Sequence, residues 1–80
     1  MKIIQVRENT LGEMIGLKPG DRLLKINGKR VVDEIDYRFR ITDENIVLDL
    51  EIDGKMDKVV IDKEYDDDLG VEFEEFKIRK

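Results

Sequence analysis

The chain has 80 residues, with 15 Lys/Arg against 20 Asp/Glu, a net charge of −5, 40% apolar content and 44% charged content. That length allows one domain with a thin core, and an acidic chain without a basic stripe argues against nucleic-acid binding, which draws most of its affinity from phosphate neutralisation. The absence of His, Cys and Ser removes disulfides, thiolate and imidazole metal ligands, Ser and Cys nucleophiles and every His general base.

Residues 2–7, KIIQVR, form a short apolar, β-branched run that predicts a strand buried on both faces. The run is too short for a secretory leader, and no stretch approaches the ~20 apolar residues of a membrane span. A cytoplasmic protein that does not enter membranes is the expectation. ENTLGEMIGLKPGD mixes turn formers with Leu11, Met14, Ile15 and Leu17, which leaves room for one helical turn ended at Gly16. Lys18-Pro19-Gly20-Asp21 then predicts a β-turn, because Pro presets its own φ and Gly accepts a positive one. Residues 22–26, RLLKI, read as a strand, and Asn27-Gly28 is a strong hairpin signal.

Residues 33–41, DEIDYRFRI, break the two-residue alternation and predict a helix of two to three turns. Asp33 is its expected N-cap, with Glu34 and Asp36 suited to the first turn. Ile35 and Phe39 stack at i, i+4 and, with Val32, are expected to face the core. Residues 46–53, IVLDLEID, alternate, so Ile46, Leu48, Leu50 and Ile52 share one face. Asp53-Gly54 turns the chain and VVID (59–62) returns as partner strand. The acidic run EYDDD, then Leu69-Gly70, leads into a last strand, VEFEEF, in which Val71 and Phe73 share a face. EYDDD lacks the spacing of a calcium loop, so no metal site is assigned.

Strands outnumber helices and every connection is short. The fold class expected is mainly β with one main helix (α+β), a small and partly open antiparallel barrel or sandwich. Residues 1–76 read as one domain and 77–80 as a charged tail leading toward a following domain. Charge divides unevenly, +3 over residues 1–40 and −8 over 41–80.

IIQV, a turn, and then LGEMIGLKPGDRLLKINGKRV together resemble a PDZ domain over roughly residues 3–31. Gly16-Leu17, Gly20-Asp21, Leu23, Leu24, Ile26, Asn27, Gly28 and Val31 carry the resemblance. A PDZ domain places a Gly-Leu-Gly-Phe-like loop and binding strand ahead of this segment. Here the matching stretch, Asp68-Leu69-Gly70-Val71-Glu72-Phe73, lies at the other end, as in a circularly permuted PDZ domain. The whole run is also similar to the N-terminal PDZ-like domain of a bacterial protein family in which a radical-SAM-like iron–sulfur region follows. That resemblance implies a module of a larger oxidoreductase-like enzyme. No catalytic residue and no cofactor is expected in this chain itself.

The function implied is β-augmentation, an extended peptide or a neighbouring domain of the same protein pairing with the strand at Leu69, Gly70, Val71, Glu72 and Phe73. Asp36 and Arg40 of the helix are candidates for the opposite wall of the groove, and the chain is expected to act as a monomer. In PDZ domains the loop amides hold a terminal carboxylate, which assigns that role to Leu69, Gly70 and Val71. Asp66, Asp67 and Asp68 oppose it. Each like charge costs an anion roughly 0.5–1 kcal/mol before screening, against about 1.5–3 kcal/mol for each charge-assisted amide bond. An internal or basic segment is therefore the expected ligand. The alternative is a purely structural accessory domain with no separate ligand.

Overall fold

The computed structural model of the chain describes residues 1–64 and 67–74. Tyr65 and Asp66 of the acidic run, the far end of the last predicted strand and the tail at 77–80 lie outside the described residues.

Two tight turns organise the larger sheet. Asn27 and Asp53 take φ of 53° and 54°, the left-handed conformation that a two-residue hairpin turn of the expected kind requires. The first joins β2 (Arg22–Ile26) to β3 (Lys29–Arg30), and the second joins β4 (Asn45–Ile52) to β5 (Lys55–Asp62). The sheet order is β3-β2-β4-β5, all antiparallel. β5 is twice as long as the four residues expected, because its register with β4 runs unbroken from Ile52↔Lys55 to Asn45↔Asp62. β4 alternates as expected: Ile46, Leu48 and Leu50 are fully buried and Ile52 is half-buried.

A second sheet pairs β1 (Ile3–Val6) with β6 (Val71–Phe73). A bulge at Ile4 shifts the register between Ile3↔Phe73 and Gln5↔Glu72. The bridge Lys2↔Arg22 links the two sheets, which remain open rather than closing into a barrel. β1 is not buried on both faces as expected. Ile3 is fully buried, Ile4 half-buried and Gln5 exposed, since one face of this small sheet meets the core and the other meets solvent.

α1 (Leu11–Met14) is one turn capped by Thr10, whose hydroxyl accepts from the Glu13 amide. Gly16 follows it, as expected. The Pro-Gly turn closes with Asp21 N–H donating to the Lys18 carbonyl at 3.0 Å. The main helix, α2 (Glu34–Arg40), starts at Asp33, whose carboxylate accepts from the Asp36 amide at 2.8 Å. Its buried face is the reverse of the expected one. Ile35 and Phe39 are 79% and 74% exposed and Val32 is exposed too, while Tyr37 and Ile41 are buried. Both pairs have i, i+4 spacing, and the packing partners decide between them. Tyr37 meets Phe73 edge-on, ring centroids 5.1 Å apart, an arrangement that favours an aromatic over an aliphatic side chain there.

Candidate functional site

The stretch before β6 is held from three directions. Gly70 has φ of +73°, and a Cβ there would collide with the side chain of Thr10. α1 presses on the same loop: the Gly12 amide donates to the Leu69 carbonyl at 2.7 Å, and a Cβ on Gly12 would lie 2.7 Å from that oxygen and from Val71 Cγ1. From α2, the Tyr37 hydroxyl oxygen accepts the Leu69 N–H at 3.1 Å. Burial pushes the Tyr37 phenol well above its usual pKa, so it stays neutral and the Leu69 bond is that of an uncharged hydroxyl.

The Gly70 amide donates to Asp68 Oδ1 at 2.9 Å, and the Gly70 carbonyl accepts from the Arg7 amide at 2.9 Å. Both loop residues therefore have their amides and carbonyls engaged within the chain. β6 continues from this fixed point. The bonds Arg7 N–H to Gly70 and Glu74 N–H to the Lys2 carbonyl set the alternation of the strand. The Gly70 carbonyl and the Glu74 amide point toward β1, and alternation between these two points directs the N–H and C=O of Val71 to the opposite edge. Among the described residues β6 pairs with β1 only. The side chains of Leu69, Val71 and Phe73 are buried, which makes the strand rigid, and Glu72 reaches Arg7 across the ladder at 3.5 Å.

The structure thus brings together Leu69, Gly70, Val71, Glu72 and Phe73. Asp36 and Arg40 lie on α2, on either side of Tyr37 in sequence. They pair with each other at 3.2 Å, and Asp36 accepts from the Val32 amide. Arg40 lines a recess with Ile26, Asn27, Lys29 and Asp43, on the flank toward the β2–β3 hairpin. Sequence reasoning missed Tyr37, Gly12 and Thr10, the residues that fix the loop. The i, i+4 pair Tyr37/Ile41 was the available signal, hidden behind the more apolar Ile35/Phe39. Beyond the loop lies a second recess of about 420 Å³ lined by Asn9, Thr10, Leu11, Met14, Asp67 and Asp68.

The sequence pattern of the PDZ domain family matches residues 2–54 of the chain. A stretch of 34 residues, 42% of the chain, is 44% identical to proteins described as "Serine protease HtrA-like" from two strains of Staphylococcus epidermidis. The match spans 6% of the length of those relatives.

Proposed function

Because the chain belongs to the PDZ domain family, we propose that it is a protein-interaction module that docks an extended peptide segment, or a neighbouring domain of the same protein, along the outward edge of β6 by β-augmentation. PDZ domains are interaction modules and not catalysts, and no enzymatic role is assigned to this chain. The observation that carries the reading is a three-residue strand that, among the described residues, pairs on one side only, with β1; the alternation set by the Gly70 and Glu74 bonds supports an outward-facing Val71 N–H and C=O. Main-chain bonds of that kind supply affinity in strand addition, and flanking side chains supply selectivity. The anchoring of Leu69 and Phe73 supports it too, since an edge ordered in advance loses little entropy on binding.

The proposed binding residues are Leu69, Gly70, Val71, Glu72 and Phe73. The position of β6 after the matched segment supports reading the domain as a circular permutation, with the binding strand supplied from the C-terminal side. By the resemblance of the full run, the parent is proposed to carry a radical-SAM-like iron–sulfur region. A cysteine cluster within a few tens of residues after Lys80 in the encoding gene is the expected finding. Gene sequence without one removes that part of the reading. The complete internal bonding of Leu69 and Gly70 favours one second reading, a structural accessory domain with no separate ligand.

Selection of a random peptide display library against the folded domain separates the two. Enriched peptides are expected to shift the Val71 amide resonance in a nitrogen-15 spectrum. No enrichment, or shifts confined to other faces, would overturn the docking reading.

A further inference from the structure

We infer that the loop before β6 refuses a ligand's terminal carboxylate and passes the ligand chain onward into the recess beside it, where it takes a lysine or arginine side chain. The inference rests on docking along β6. Two of the three amides that would cradle a carboxylate are already committed, Leu69 to the Tyr37 hydroxyl and Gly70 to Asp68 Oδ1. The second acceptor is itself a carboxylate, tethered two residues away, so an incoming anion must displace a group of its own kind. It must also approach Asp67 and Asp68, both exposed at the loop. Tyr37 cannot turn aside, because its ring is buried against Phe73.

A segment docked antiparallel to β6 runs its C-terminal end past Gly70 toward Asp68 and Asp67. The recess of about 420 Å³ lies there. Its apolar lining is Leu11 and Met14, the latter 77% exposed, and its acidic lining is Asp67 and Asp68. That combination suits a long aliphatic stem ending in a cation, the shape of Lys and Arg. A chain that continues beyond the loop also has no terminal charge to place. The ligand class is an internal extended segment with a basic residue just past the paired stretch.

Four peptides test this against the nitrogen-15-labelled domain: Val-Thr-Val-Thr-Val with an acetylated start, ended as the free acid, ended as the amide, continued by Lys-Gly-amide, or continued by Glu-Gly-amide. The shift of the Val71 amide reports docking. The Lys-continued peptide is expected to bind about fivefold tighter than the Glu-continued one, the contrast that one or two exposed charge pairs supply. The free acid is expected to bind no tighter than the amide. The double variant Asp67→Asn/Asp68→Asn, which keeps an oxygen acceptor for the Gly70 amide, is expected to lose the Lys preference. A free acid that binds tightest, or a Lys preference that survives the double variant, would overturn the inference and leave docking along β6 intact. Four peptides that all leave Val71 unmoved would overturn docking and the inference together.

Discussion

Gly70 and Tyr37 carry the site at the scale of single residues. Gly70→Ala would place a Cβ against Thr10 in a left-handed conformation. The conformation costs about 1–2 kcal/mol for a residue with a side chain, and overpacking adds roughly 1–3 kcal/mol. Urea unfolding of Gly70→Ala is expected to show a loss of at least about 2 kcal/mol; a loss below 1 would mean the loop is not held as described. Tyr37→Phe keeps the ring and leaves the buried Leu69 amide without its acceptor, at an expected cost of about 1–3 kcal/mol. The pH dependence has a definite sign. The folded phenol titrates well above the unfolded value of 10.0, so between the two the unfolded chain holds fewer protons. Stability is therefore full below pH 10 and falls as pH rises beyond it, by up to about 1.4 kcal/mol per pH unit from this group. Tyr37→Phe should fall less steeply above pH 10 than the parent in paired denaturation series. Parallel slopes would show that Tyr37 is not buried in its neutral form.

At the scale of elements, β4 and both hairpins were legible because local rules and burial agree there. Alternation put Ile46, Leu48 and Leu50 on the core face, and the Asn-Gly and Asp-Gly dipeptides supplied positive φ where the turns need it. The helix was legible in extent and cap but not in orientation. Ile35/Phe39 and Tyr37/Ile41 satisfy the same spacing, and hydrophobicity alone prefers the first. The choice of the second depends on Phe73 and on the Leu69 amide, more than thirty positions away in sequence, which no local window contains. The same long-range dependence hid Gly12 and Thr10. Substituting Ile35→Gln or Phe39→Gln should change unfolding free energy by no more than about 0.5 kcal/mol, as for exposed positions generally. Leu48→Ala, from the centre of the core, should cost about 2–5 kcal/mol. A large loss at Ile35 or Phe39 would return the helix to the orientation first expected.

For the whole molecule, composition excluded more than it identified. The lack of His, Cys and Ser closed most catalytic routes, and the run from Gly16 to Val31 carried the family. The proposed place of docking had no such signal, because its strand lies outside the matched residues 2–54 and its loop is held by α1 and α2 together. In the proposed reading, a folded core, the edge of β6 at Val71 and the recess lined by Asp67 and Asp68 form a single arrangement for gripping extended chain. Residue-resolved hydrogen exchange, with and without a peptide selected from the display library, tests this most directly. Exchange at the Val71 amide should slow by about tenfold or more in the complex, as expected for an amide newly paired in a ladder, with Met56 and Val60 on the outer strand β5 unchanged. Peptide binding with Val71 exchange unaltered would contradict docking along β6.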